Sequence, residues 1–190
     1  MNFPMKNIII ILTALLLSQS ISLAKDCFPG QAVSYSPAKH YSIIWQEPSD
    51  GETHHLIFSN GTERKLFFDF GREVCIHWES QEKYFALTYY AGSNVSEVYI
   101  YSPDEPRKLF DLVDFIPTQV KKLYAENYHS YIEVLDWADT GLLARVWGYG
   151  DRSPKGFEVR LRCTTKDKFS CTEEKANKAL KRGAAGVFSK

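Results

Sequence analysis

The residues best suited to binding form one short alternating stretch. Arg145, Trp147 and Tyr149 alternate with small or apolar residues, and successive side chains of a β-strand point to opposite faces, so these three share one face. Arg, Trp and Tyr contribute most to protein–protein interfaces. The pattern predicts a partner-binding surface, to which we add Tyr90, at the end of an earlier strand. The alternative is that the row packs against a neighbouring sheet.

The histidines do not form a metal-binding pattern. His77 and Glu79 flank Trp78 and would share a face of a strand, which could hold a metal or an acid/base pair. A third ligand at fixed spacing is missing, so we predict a polar strand end. His54 and His55 are adjacent and would point to opposite faces, which makes chelation poor. No metal and no cofactor is therefore expected.

The acidic residues and the short motifs give no catalytic signature. Asp104, Glu105, Asp111 and Asp114 lie close together in the sequence. A glycosidase needs two carboxylates held about 5 to 10 Å apart, whereas a solvated turn explains this cluster more simply. The sequence contains no G-x-S-x-G, no phosphate-binding loop and no H-E-x-x-H. We therefore expect no catalytic residue.

The first 24 residues have the layout of a secretory signal peptide. A basic start ending at Lys6 precedes the apolar run NIIIILTALLL, and small residues lead to a predicted cleavage after Ala24. Lys25 and Asp26 separate that site from Cys27, so the sequence has no lipobox. We expect a periplasmic or secreted protein without a stable membrane anchor once the signal is removed.

The charge distribution argues against a nucleic-acid-binding protein. The whole chain has 23 basic and 23 acidic residues. Residues 25–174 carry 17 basic and 23 acidic residues, and the tail, residues 175–190, carries five basic residues and no acidic one. A mildly acidic body with a short basic tail is not a nucleic-acid footprint. We interpret the tail as a solvated, partly helical terminus.

The four cysteines are expected to form two disulfides, because an even number in an exported chain favours this use over metal binding. Cys163 and Cys171 are spaced for two facing strands joined by a turn at residues 166–168. This pairing leaves Cys27 with Cys75.

The tetrapeptide RKLF occurs twice, at residues 64–67 and 107–110, a spacing of 43. The surrounding sequence keeps this spacing: Tyr41 corresponds to Tyr84, Ile57 to Ile100 and the aromatic Tyr35 to Trp78. We therefore predict a repeated unit in which RKLF forms the outer strand.

The repeats predict an all-β protein, since aromatic and β-branched runs alternate with turn signals every 8 to 12 residues. The units cover about residues 31–70, 73–112 and 131–171, each with four antiparallel strands. Residues 113–130 form an insertion with a short helix starting at Pro117. Insertions in repeat folds often lie on the binding face.

The repeat resembles the blades of TolB-like β-propellers, whose blade core reads approximately W-S-P-D-G-K before an apolar strand. The corresponding stretches are YSPAK (35–39), WESQEK (78–83) and WADTG (137–141), and EVYIY (97–101) is similar to the family's I-Y-V-x-D strand. The resemblance implies three propeller-like blades within residues 25–174. Propellers close with 4 to 8 blades, so either copies assemble into a ring or the sheets form an open stack.

These expectations describe an exported, non-catalytic protein that binds another protein. A small inhibitor, or an immunity-type protein acting on a toxin, would fit the size and the disulfides. The alternatives are a periplasmic hydrolase whose site is not recognisable from the sequence and a scaffold subunit that completes a propeller by oligomerisation.

Overall fold

The computed structural model describes residues 25–47, 53–104, 106–138, 141–164 and 169–174. The predicted signal peptide, its cleavage after Ala24, the predicted turn at residues 166–168 and the helical tail at 175–190 all lie outside the described residues, as does Glu105.

The described chain forms three antiparallel sheets. The first contains β2 (Val33–Tyr35), β3 (Ser42–Gln46), β4 (His54–Ser59) and β5 (Arg64–Phe70), in that order. The second has the order β1-β6-β7-β8-β9, with β1 (Asp26–Phe28), β6 (Glu73–Trp78), β7 (Phe85–Tyr90), β8 (Glu97–Ser102) and β9 (Arg107–Asp111). The third contains β10 (His129–Ala138), β11 (Gly141–Gly150), β12 (Ser153–Thr164) and β13 (Ser170–Glu173). The prediction of a mostly β protein is confirmed.

One sheet differs from the predicted four strands. The second sheet has a fifth strand, because β1 pairs with β6 and places Cys27 directly opposite Cys75. Strand β1 could not be predicted from the sequence, since three residues are too few to show an alternating pattern. The disulfide between Cys27 and Cys75 holds this short strand in place.

The second predicted disulfide is also present. Cys163 on β12 and Cys171 on β13 are directly paired and joined. Both cross-links therefore connect neighbouring strands within one sheet. Neither one links two sheets, so the contacts between sheets depend on packing and hydrogen bonds.

The three sheets form an open stack with the second sheet in the middle, and none of them closes on itself. The alternation along β7 shows the arrangement. Phe85 and Leu87 are buried in the core between the first and second sheets, whereas Ala86 is buried in the core between the second and third. The stack leaves two outer faces, one on the first sheet and one on the third.

The turns between the first two strands of the first and second units repeat at a spacing of 43 residues. The backbone N–H of Ser36 donates to the carbonyl of Tyr41 at 3.0 Å, and that of Glu79 donates to Tyr84 at 3.1 Å. Lys39 has a positive φ of 62°, and the residue 43 positions later has one of 57°. The sequence repeat is thus accompanied by a repeated backbone conformation.

The spacing of 43 does not hold on the third strand of these two units. Ile100 is buried in the core between the second and third sheets. Ile57 lies between Leu56 and Phe58, which are both buried toward the second sheet, so its side chain is on the opposite face. Matching Ile57 to Ile100 was therefore wrong by one residue, and a one-residue shift moves a side chain to the other face of a strand.

Both copies of RKLF lie on edge strands, β5 and β9, as predicted. Their Arg and Lys side chains are exposed. Charged residues on an edge strand oppose pairing with a further strand, which gives the motif a structural role.

The insertion contains the predicted helix. A 3-10 turn (Leu112–Asp114) precedes helix α1 (Thr118–Glu126), which begins directly after Pro117. Val120 is buried in the core between the second and third sheets, and the Tyr124 hydroxyl donates to the carbonyl of Ser96 at 2.8 Å. The insertion ends earlier than predicted, because β10 starts at His129. These contacts make the helix a support for the core.

Candidate functional site

The outer face of the third sheet carries the predicted binding residues. The inward side chains of β11 are fully buried against the second sheet: Leu142, Ala144 and Val146. The alternate side chains point outward, where Arg145 and Trp147 are partly exposed and Tyr149 is 46% exposed. The row is therefore not packed between two sheets of this chain.

Two pairs of stacked rings form what we call the aromatic row: His129, Tyr131, Trp147 and Tyr149. His129 is directly opposite Tyr149 across the β10–β11 pair, and Tyr131 is opposite Trp147. In each pair the ring centroids are 4.3 Å apart, with the planes within about 21° of parallel. Direct cross-strand pairs of aromatic residues stabilise a sheet, so this surface is held in shape before any partner arrives.

Gly148 makes this close arrangement possible. It lies between Trp147 and Tyr149 on β11, and a Cβ added there would be 2.1 Å from the carbonyl oxygen of His129. Any other residue would push β10 away from β11 at the aromatic row. The close packing of β10 against β11 therefore requires glycine at position 148.

A charged cluster borders the aromatic row. The Arg145 Nε donates to Glu133 Oε1 at 2.8 Å, and a second guanidinium nitrogen binds the same oxygen. The guanidinium also lies 5.3 Å from the Trp147 ring centroid and 3.7 Å from the carboxylate of Glu158. Arg145 is thus fixed by two carboxylates and a ring, the kind of contact that a planar guanidinium favours.

Glu133 is kept ionised by this arrangement. Burial opposes the charged form, but the hydrogen bond and charge of Arg145, with a hydrogen bond from Tyr90, outweigh burial and hold the pKa of Glu133 below its ordinary value of 4.5. The side chain of Glu133 is 12% exposed. A mostly buried, charged carboxylate therefore holds the guanidinium of Arg145 in place.

Tyr90 is not part of the aromatic row; it contacts Glu133, the carboxylate that holds Arg145. Its hydroxyl donates to Glu133 Oε2 at 3.0 Å and accepts from the Lys25 ammonium at 3.3 Å. Burial and the negative charge of Glu133 raise the pKa of Tyr90. The structure thus connects Tyr90 to Arg145 through one shared carboxylate, in the junction between the second and third sheets.

A surface pocket of about 690 Å³ adjoins the aromatic row. Trp147 and Tyr149 form one side, and residues 154–158, including Phe157, form the other. The indole nitrogen of Trp147 is buried and meets no hydrogen-bond acceptor among the described residues. The pocket lining is both apolar and polar, since Pro154 and Phe157 lie beside Lys155 and Glu158, so the pocket can accept a side chain with an apolar body and a polar end.

Part of this site was missing from the sequence prediction. His129, Tyr131 and Glu133 are on β10, and their role depends on the register between β10 and β11. Counting back from the facing residues Ala138 and Gly141 would pair Tyr131 with Gly148, one residue away from its observed partner Trp147. The bulge between Val134 and Asp136 makes such a count unreliable by one residue.

His77 and Glu79 do not form a site together. His77 is buried, and its backbone carbonyl accepts a hydrogen bond from the Trp137 indole at 2.9 Å. Glu79 follows the end of β6, and its carboxylate accepts from the backbone N–H of Lys83 at 3.0 Å. The prediction of a polar strand end describes Glu79, whereas His77 is part of the packing between sheets.

We predict a measurable acid sensitivity from His77. Burial, and then the charge of Lys25, lower the pKa of His77 to about 4, although Glu133 acts in the opposite direction. The unfolded chain takes up this proton near pH 6.5, so stability is lost as the pH falls from about 6.5 toward 4. Between pH 7 and pH 5 the loss is about 2 kcal/mol. Urea unfolding at both pH values should show a smaller loss in His77→Gln, and an equal loss would contradict this account.

The other histidine and carboxylate candidates do not form a common site, because each contacts a different partner. His54 accepts from the Trp45 indole at 3.3 Å, whereas His55 pairs with Asp69 at 2.7 Å on the opposite face of β4. The remaining acidic candidates have separate partners at 2.7 to 3.1 Å: Asp104 with Tyr41, Asp111 with Lys108, and Asp114 with Lys121. The structure does not bring these three carboxylates to one common partner.

One group of three potential metal ligands comes together within the described ranges: Cys27, Glu73 and Cys75. Both cysteines are joined in the disulfide. The thiolate is the form of cysteine that binds metals, so this group is explained by the cross-link.

Comparisons of the sequence with models of protein families and with curated proteins give no match, and a comparison of the structure with solved structures gives none either. In the part of the chain that the structure describes, no helix is long and apolar enough to cross a membrane. The function must therefore be argued from the site itself.

Proposed function

We propose that this is an exported protein that binds another protein through the outer face of the third sheet. The two disulfides are of the kind found in extracellular and periplasmic proteins. The binding surface would consist of the aromatic row, Arg145 and the adjoining pocket.

The observation that carries this proposal is a fixed, partly exposed aromatic surface on which no other sheet of the described chain packs. Trp147 and Tyr149 are each stacked on a ring of the neighbouring strand, and Arg145 is held by Glu133. Rigid aromatic side chains lose little conformational entropy on binding. Trp, Tyr and Arg are also the residue types whose removal weakens interfaces most.

The size, the disulfides and this surface would suit a small inhibitor or an immunity-type protein. Such proteins act by covering a surface of their target, which requires a rigid face and no chemistry of their own. The propeller-like interpretation of the sheets is compatible with this use, since the outer face of a terminal blade would be free to bind. A hydrolase with an unrecognised site is the alternative class, but no single observation on the described residues favours it.

A capture experiment tests the proposal. The tagged protein, with the cell-envelope fraction of its source as the probe, is expected to retain one partner polypeptide. Trp147→Ala should lower the recovery of that polypeptide by at least about tenfold, because a central tryptophan contributes strongly to an interface. Leu109→Ala, on the edge of the second sheet, serves as the control and should recover it fully. Equal recovery by both variants would contradict the proposal.

A further inference from the structure

We infer that the partner on the outer face of the third sheet is the first sheet of a second copy of this chain, in a head-to-tail arrangement. This inference rests on the proposed function, because it names the occupant of the same surface. It is carried by a contact between sheets that occurs twice within the chain and is left incomplete at both ends of the stack.

The repeated contact is a hydrogen bond from a buried indole. The Trp78 Nε1, in the second sheet, donates to Ser34 Oγ in the first at 2.9 Å. The Trp137 Nε1, in the third sheet, donates to the carbonyl oxygen of His77 in the second, also at 2.9 Å. In the second and third sheets, a tryptophan near the end of β6 or β10 thus forms a hydrogen bond to the preceding sheet. The acceptor is each time the residue just before the equivalent aromatic position.

The same rule assigns a donor and an acceptor to the two ends of the stack. Tyr35 holds the aromatic position of the first sheet, and its side chain is 57% exposed because no sheet precedes it. Asp136, just before Trp137, holds the acceptor position of the third sheet and is partly exposed. Neither side chain has a hydrogen-bond partner in the described part of the chain. A tyrosine hydroxyl and a carboxylate form a complementary pair.

The orientation of these residues agrees with the rule. Ser34 and His77 point toward the following sheet, whereas Trp78 and Trp137 point toward the preceding one. By strand alternation Tyr35 points opposite to Ser34, and Asp136 opposite to Trp137. The two unpartnered side chains therefore face outward at opposite ends of the stack.

The outer face of the first sheet also offers an apolar surface to the aromatic row. Four directly paired residues cross its strands: Val33, Ile44, Ile57 and Leu66. The first three are partly exposed and Leu66 is 53% exposed. An apolar row of this kind on the outside of a sheet is a surface that burial against the rings of another copy would stabilise.

The outer face of the third sheet, where a second copy would bind, differs from the contacts between sheets within the chain in one respect. Trp78 stacks on Tyr41 and Trp137 on Tyr84, both with centroids 6.4 Å apart. The third sheet has Gly141 at the corresponding place, as the first residue of its second strand. The second copy would therefore be positioned by Asp136 and the aromatic row, without that stacked ring.

Two copies joined in this way would contain six sheets, which is within the 4 to 8 blades of closed propellers. A head-to-tail contact uses two different surfaces, and it forms a closed ring when the rotation between copies returns to its start. The expected species is therefore a dimer with two equivalent contacts.

The mass of residues 25–190 in solution, measured by sedimentation, tests the inference with a matched pair of variants. The wild type is expected to be a dimer. Leu66→Glu should weaken the dimer by about 100-fold, because it would bury a carboxylate without a partner. Leu109→Glu changes the equivalent residue of the second RKLF, which is 37% exposed on an edge away from both outer faces, and should leave the dimer intact. A monomeric wild type, or equal effects of the two variants, would overturn the inference.

Cysteine cross-linking tests the direction of the contact. A mixture of Tyr35→Cys and Asp136→Cys proteins should form a disulfide-linked pair on oxidation, and neither variant should do so alone. Cross-linking of Tyr35→Cys with itself would show a symmetric contact and overturn the inference. So would the absence of any linked pair in the mixture.

These outcomes separate the inference from the proposed function. A monomer that still captures a different polypeptide in a Trp147-dependent way would overturn the inference and leave the binding surface in place. A monomer that captures nothing through Trp147 would overturn both.

Discussion

Replacing Trp137 with alanine is expected to destabilise the protein by about 3 to 5 kcal/mol, the range for a buried tryptophan. Its side chain is 6% exposed in the core between the second and third sheets. The substitution would leave a cavity there and would also leave the carbonyl of His77 without its indole donor. The midpoint and slope of urea unfolding, followed by circular dichroism, measure this loss.

Trp147→Ala is the matched control. It removes a ring that stacks on Tyr131 and contacts Arg145 at the surface, so we expect a loss of only about 1 kcal/mol. If Trp137→Ala does not fold, Trp137→Phe keeps a ring and removes the indole donor, and its unfolding can be compared instead. Equal losses for Trp137 and Trp147 would contradict the division between structural and binding tryptophans.

Removing the disulfide between Cys27 and Cys75 is expected to cost about 4 kcal/mol, from the entropy of closing a loop of 48 residues. The loop between Cys163 and Cys171 spans only 8 residues, so its removal should cost about 2.5 kcal/mol. Double alanine variants of each pair, unfolded in urea, give the two values.

The order of the two losses is the part of this prediction that depends on the fold. The longer loop encloses the whole first sheet, whereas the shorter one closes a single hairpin. A larger loss for the Cys163–Cys171 pair would show that local strand pairing, and not loop closure, determines the effect. Sedimentation of the same variants should show whether the first sheet still supports dimer formation.

The strands could be predicted because their signals are local. Strands β4, β6 and β8 are each an apolar or aromatic run bounded by turn residues, which is a signal that the sequence carries by itself. The short strand β1 was missed because its only cause is long-range pairing with β6. The failed match of Ile57 to Ile100 has a similar cause, since identical residues at a fixed spacing do not report which face a strand presents.

The candidate site was predicted only in part, because strand alternation is a local signal whereas contacts between strands are not. Alternation along β11 placed Arg145, Trp147 and Tyr149 on one face, and the structure shows that face pointing outward. The role of Tyr90 could not be predicted, because its link to Arg145 runs through Glu133 on another strand. Contacts between sheets, such as that of Trp137 with His77, leave no local pattern in a single sequence.

Photo-crosslinking from position 149 tests the central claim that the outer face of the third sheet binds a protein. Tyr149 would be replaced by p-benzoylphenylalanine in the full chain, expressed in its source cells, with the same replacement of Leu109 as the control. We predict a single adduct from position 149 and none from position 109, and the mass of the adduct will tell a second copy from another polypeptide. No adduct from position 149, or equal adducts from both positions, would contradict the claim.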